Sequence, residues 1–173
     1  MGGTAIVWLA EGTWPACIDA ARSWVPPDDD IVLLHVGGSE LAAAHGALAG
    51  LLGRGRRGPE ASIDALSAEA VAGLLDRARQ RLGRPATTEQ RTGRVEREVV
   101  AATADAVLLI CARDGDRSRL GPRSLGPATR FVVDHVPCPV LLVWPGEAPD
   151  LESIPPPPPP GAEPPPPPPH ERH

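Results

Sequence analysis

The sequence predicts an α/β protein: an open, doubly wound sheet of five parallel strands in the order 3-2-1-4-5, with helices on both faces. Four short apolar runs stand at residues 5–9 (AIVWL), 31–36 (IVLLHV), 106–111 (AVLLIC) and 140–144 (VLLVW). They are continuous rather than alternating, as strands buried on both faces are. Segments with helical periodicity lie between them, so parallel pairing through right-handed crossovers follows. A hydrophobic fraction of 42% in 173 residues is enough for one core.

Each element has its own signal. After the first strand, Glu11-Gly12-Thr13 forms a turn with Thr13 placed as a helix N-cap. Trp14, Cys17, Ala21 and Trp24 then recur at helical spacing, and Pro26-Pro27 with the Asp run 28–30 stops that helix. Gly37-Gly38 ends the second strand. Residues 39–52, rich in Ala and Leu, read as an inserted helix, and residues 53–59 (GRGRRGP) as a basic loop. Ser62 or Ser67 opens a further helix whose face carries Val71, Leu74, Leu75, Ala78 and Leu82, with Gly83 closing it. Polar residues 85–91 read as a short edge strand. Residues 93–104 present Val95, Val99 and Ala102 on one helical face. Ala128, Phe131, Val132, His135 and Val136 line the last helix, which Pro137 and Pro139 end before the final strand.

Composition narrows the function classes. The net charge is −5 and no basic face is evident, which argues against nucleic acid as a partner. All 17 basic residues are Arg, so a Walker-type phosphate loop is excluded for want of its lysine. Cys17, Cys111 and Cys138 form neither a CxxC pair nor a zinc pattern and read as buried reduced thiols. No basic segment followed by an apolar stretch opens the chain, and no apolar run is long enough to span a bilayer, so a cytoplasmic protein without a membrane partner is expected. Twelve of the 23 prolines fall in residues 155–160 and 164–169. The globular domain is therefore expected over residues 1–146, with residues 147–173 a proline-rich, disordered tail of polyproline II character.

In a doubly wound sheet a ligand sits outside the carboxyl ends of the strands, where strand order reverses. Here that point lies beside the first strand, so residues 9–13 face the long loop that follows residue 111. That loop carries Gly115, Gly121 and Gly126 for close backbone approach, and Arg113, Arg117, Arg119 and Arg123 as counter-charges for a polyphosphate. The helix opened by Gly126 offers unpaired N–H groups and a partial positive charge, which suit an anion. Glu11 can accept a hydrogen bond from an amine or hydroxyl, or it can cap the adjoining helix. Gly115 and Gly126 can equally serve only the turn and the helix start. His35 reads as a structural strand-end histidine and His135 as semi-buried packing. His170 and His173 lie in the tail. No Ser-His-Asp set and no carboxylate couple stands out, so no catalytic residue and no metal site is expected.

Residues 126–143 (GPATRFVVDHVPCPVLLV) resemble the end of universal stress protein (UspA-like) domains, where a glycine opens the last helix and a His-x-Pro-Cys-Pro-Val stretch enters the last strand. AIVWLAEGT resembles that family's first strand and its Asp-Gly-Ser turn, residues 31–36 its second strand, and DAVLLICARDG its fourth. The resemblance covers nearly all of residues 4–145. It implies an adenine-nucleotide pocket holding ATP with Mg²⁺: Leu9, Ala10, Glu11 and Val36 around the base, and Ala112, Gly115, Gly126, Pro127, Ala128 and Thr129 toward ribose and phosphates. It also implies a homodimer through the last strand, Val140, Leu141, Leu142, Val143 and Trp144, whose apolar edge invites a second strand. ATP-binding members resemble Gly-x2-Gly-x9-Gly-Ser/Thr. In this sequence Ala112 stands for the first Gly, the spacer from Asp116 to Leu125 has ten residues, Pro127 stands for Ser/Thr, and Glu11 replaces Asp. Proline removes a hydroxyl and a backbone donor where a phosphate would bind. The expected role is regulatory binding in a stress response rather than turnover. The alternative is a non-nucleotide interaction module working through its dimer surface and proline tail.

Overall fold

A computed structural model describes residues 2–38, 60–154 and 156, with residues 60–67 as backbone only. The inserted helix and basic loop expected within residues 39–59, and both proline runs apart from Pro156, lie outside the described residues. The elements are β1 (Thr4–Trp8), α1 (Trp14–Trp24), β2 (Asp30–Gly38), α2 (Glu60–Leu82), β3 (Thr87–Gly93), α3 (Val95–Ala102), β4 (Leu108–Ala112), α4 (Pro127–His135) and β5 (Val140–Val143). Short 3-10 turns occupy Pro122–Ser124 and Leu151–Ser153. All strand pairings are parallel and the sheet order is β3-β2-β1-β4-β5, as the sequence predicts.

Alternation along the buried strands splits the core between the two faces. Ala5, Val7, Leu9, Ile31, Leu33 and Ile110 meet α1 and α2 through Cys17, Ile18, Ala21, Leu74, Leu75, Ala78 and Leu82. Ile6, Trp8, Leu34, Val36, Leu109 and Cys111 meet α3 and α4 through Val99 and Val132. The sheet is thus covered on both sides, which is why its central strands are apolar without alternation. The α1–β2 connection is held by Arg84, whose guanidinium donates to the carbonyls of Val25, Pro26, Pro27 and Asp29 at 3.1, 3.0, 3.0 and 2.7 Å.

Several local expectations are corrected. Trp24 is 70% exposed rather than packed. At about 100° per residue, Trp14, Cys17, Ile18, Ala21 and Val25 share one stripe of α1 and Trp24 falls about 80° off its centre. Thr13 does precede α1, but its hydroxyl donates to the Ala10 carbonyl at 3.3 Å and makes no capping bond to the helix. The second helix begins at Glu60, before both serines. β3 runs two residues further than expected, to Gly93. His135 is exposed at the end of α4, stacked on Phe131 with centroids 3.9 Å apart, its Nδ1 2.7 Å from the Phe131 carbonyl oxygen. Beyond Gly146 the chain turns back toward the β4–α4 loop, where Leu120 N–H donates to Ser153 Oγ at 3.0 Å.

Candidate functional site

Strand order reverses at β1, which lies between β2 and β4. The carboxyl ends of these parallel strands deliver the candidate residues to one end of the sheet. Leu9 N–H extends the ladder to the Leu34 carbonyl at 2.8 Å, and the Ala10 carbonyl accepts from Thr13 and Trp14 N–H at 3.2 and 3.0 Å as α1 begins. Glu11 is therefore left exposed at the tip of the turn. Leu9, Val36, Ala112 and Thr129 are buried, at 1%, 7%, 7% and 1% exposure, so they act as floor rather than free walls. Ala10, Gly115, Gly126 and Ala128 are half-buried, and Pro127 is exposed as the first residue of α4.

The β4–α4 loop is folded back on itself. Gly115 N–H donates to the Ser124 carbonyl at 2.9 Å and Asp116 N–H to the Arg123 carbonyl at 2.8 Å. This close approach requires glycine at 115: a Cβ there would run into the Arg123 carbonyl and lie 2.9 Å from the carbonyl carbons of Ser124 and Leu125. Ser124 is fully buried, its hydroxyl donating to the Gly121 carbonyl at 2.6 Å and accepting from Arg113 Nη1. The Arg113 guanidinium also lies 4.8 Å from the centroid of the Trp144 ring. Asp116 accepts from the N–H and hydroxyl of Ser118 at 3.0 and 2.6 Å, and Arg119 reaches its other oxygen at 3.6 Å. Arg113 and Arg119, expected as counter-charges for a phosphate chain, thus already have partners.

The start of α4 is also partly occupied. Gly126 N–H donates to Asp114 Oδ1 at 2.7 Å. A Cβ on Gly126 would come within 2.9 Å of both Asp114 carboxylate oxygens, so glycine here makes room for the carboxylate. Asp114 was not among the expected site residues. It sits twelve residues from its partner, a contact visible only once the loop closes. His35 stands near the end of β2, as the sequence reading has it. Its Nδ1 is buried and without a hydrogen-bond partner among the described residues. Burial pushes the imidazole below its ordinary pKa, while the Glu11 charge pulls the other way. Val140, Leu141, Leu142 and Val143 form β5, half-buried and, among the described residues, paired only to β4; Trp144 lies one residue beyond the strand, under Arg113. Among the described residues no cluster of His, Cys, Asp or Glu could hold a metal ion, and no helix is long and apolar enough to cross a membrane.

A family model, the universal stress protein family, matches residues 18–143. The chain belongs to the universal stress protein family. Solved structures share its fold at low identity. The hypothetical protein MJ0577, subject of a structure-based functional assignment, superposes with a TM-score of 0.62 at 16% identity, covering 83% of this chain and 96% of that one. A universal stress protein in complex with cAMP superposes at 0.53 and 16%, covering 84% and 98%. The universal stress protein UspA from Lactobacillus plantarum superposes at 0.54 and 16%, covering 83% and 99%. No curated protein matches the chain.

Proposed function

We propose that this universal stress protein acts in a stress response by binding the adenosine part of an adenine nucleotide at the β1–β4 switch point, as a regulatory ligand and not as a substrate. The observation that carries the reading is the convergence of Leu9, Ala10, Glu11 and Val36 with the β4–α4 loop at the carboxyl ends of the strands, where ligands of doubly wound sheets bind. A family relative in complex with cAMP supports an adenine ligand at this fold. Glu11, exposed and aimed from the end of β1, is the one carboxylate among the residues proposed to surround the base, and it suits an exocyclic amine or a ribose hydroxyl. Calorimetric titration with ATP and Mg²⁺, and separately with adenosine, tests the reading. Saturable heat from either supports it, and no heat from both at millimolar ligand overturns it.

We also propose a homodimer through β5. The two sheet edges differ: β3 (TTEQRTG) is polar and carries the Arg91–Glu89 ion pair at 2.6 Å, whereas β5 (VLLV) is apolar and half-buried. Charged edges resist strand addition and apolar ones invite it. Leu109 N–H reaches the Pro139 carbonyl and Arg113 N–H the Val143 carbonyl, both at 2.9 Å. The alternation of a parallel ladder therefore turns the N–H and C=O of Leu142 outward. Leu142→Pro removes an outward donor while leaving the β4 ladder intact. It should convert a dimer mass in light scattering to a monomer mass, and a monomeric wild-type protein at micromolar concentration refutes the dimer. The same edge, acting with the proline tail, carries the second reading, an interaction module without a nucleotide, which the calorimetry separates from the first.

A further inference from the structure

We infer that Asp114 is a built-in anion that makes the switch-point crevice discriminate against the phosphate chain, so that its ligand is a nucleoside or a nucleotide of low phosphate charge. The inference rests on the proposal that the crevice holds an adenosine group, and it concerns what that group carries. A phosphate approaching the start of α4 seeks backbone N–H groups and the positive end of the helix. In this protein the Gly126 N–H already holds Asp114 Oδ1 at 2.7 Å, and both carboxylate oxygens lie where a Cβ on Gly126 would come within 2.9 Å of them.

Several donors of the β4–α4 loop are spent in the same way. The N–H groups of Gly115 and Asp116 are bonded to the carbonyls of Ser124 and Arg123, and those of Ser118 and Leu120 to Asp116 Oδ1 and Ser153 Oγ. Pro127, next in line, has no N–H at all. Arg113, the nearest cation in sequence, is held by the buried Ser124 hydroxyl and the Trp144 ring. An incoming polyphosphate meets the Asp114 carboxylate beside the remaining N–H groups of Ala128 and Thr129, and like charges repel. Uncharged adenosine meets no such opposition.

Asp114→Asn keeps an acceptor for Gly126 but removes the charge, and Asp114→Ala removes both. Titration of the full chain and both variants with adenosine, AMP and ATP, in a chelator so that no divalent cation bridges the anions, reads the preference directly. In the wild type, affinity should fall from adenosine to ATP. Both variants should bind ATP at least about tenfold more tightly than the wild type does, with adenosine affinity unchanged within about twofold. If adenosine binds all three proteins and the ratio of ATP to adenosine affinity does not move, the role of Asp114 is overturned and the crevice reading stands. If ATP binds the variants more weakly than the wild type, the inference is likewise overturned. If neither ligand binds any of the three, the crevice reading falls and the inference with it.

Discussion

The contact between Asp114 and Gly126 is best tested by a thermodynamic cycle of Asp114→Ala, Gly126→Ala and the double variant. The carboxylate accepts from Gly126 N–H at 2.7 Å and lies at the protein surface. Removing it costs what losing a helix N-cap costs, about 1 kcal/mol. Gly126 has φ −67° and ψ 168°, a conformation any residue adopts. Alanine there is therefore unstrained, and its Cβ matters only because it would sit 2.9 Å from both carboxylate oxygens. The carboxylate must swing away, forfeiting the same bond at about 1 kcal/mol. In the double variant nothing is left to displace, so the total should stay near about 1 kcal/mol instead of doubling, a coupling of about 1 kcal/mol. Urea unfolding of all four proteins measures it, with equal m-values confirming that only stability has changed. In a chain of this size each kcal/mol moves Tm by about 2–4 °C. Costs that add to within about 0.3 kcal/mol would refute the contact.

Three further outcomes are expected. Burial holds His35 neutral at a pKa below its ordinary value, Glu11 only partly opposing this. The unfolded chain therefore protonates first as pH falls through about 6.5, and stability declines from there until the folded pKa is passed; His35→Leu should flatten the urea midpoint between about pH 7.5 and 5.5, and an unchanged slope assigns it to other groups. Burial pushes the Cys17 and Cys111 thiols up to about 12, whereas Cys138 is only half-buried. Iodoacetamide should modify Cys138 alone in the folded protein and all three in urea, as mass spectrometry would show; equal labelling of Cys17 in the native state would contradict the packing under α1. Arg84→Ala releases four carbonyls of the α1–β2 connection. It should destabilise by about 2 kcal/mol, with Arg84→Lys recovering only part because one ammonium cannot span them; a Tm within about 1 °C of wild type would show the clamp to be idle.

The fold was legible because its strands are buried on both faces. That burial writes uninterrupted apolar runs into β1, β2, β4 and β5, and helical spacing between them forces parallel pairing. Stripe membership near helix ends was less legible. Trp24 matches the spacing of Trp14, Cys17 and Ala21 taken pairwise, but its angle carries it off the packed face, and Val25 takes the core position instead. His135 failed for a related reason: Val136, the next residue, takes the place against the core cluster, and the exposed imidazole turns back onto Phe131. Thr13 shows that a cap residue type does not fix a cap geometry. With φ −125° and ψ −18°, its hydroxyl points back to the Ala10 carbonyl instead of forward to the helix N–H groups.

The site divides along the same line. Residues delivered by strand ends, Leu9, Ala10, Glu11, Val36 and Ala112, follow from topology, and the order β3-β2-β1-β4-β5 puts them where the sequence places them. What the β4–α4 loop does with its donors depends on contacts across 7 to 12 residues, which no local pattern encodes. Glycines at 115 and 126 match an expectation of phosphate binding, yet each has a sufficient cause within the chain: one admits the Arg123–Ser124 backbone, the other the Asp114 carboxylate. A glycine motif therefore reports close approach, not the identity of what approaches. Here the approaching group at Gly126 is an anion supplied by the protein itself. Pro127 points the same way: a helix whose first N–H is satisfied by Asp114 and whose next residue has none loses nothing by carrying proline at its first position. The departures at Pro127 and in the ten-residue spacer are thus consistent with one another, because both belong to a loop that closes on its own carboxylate.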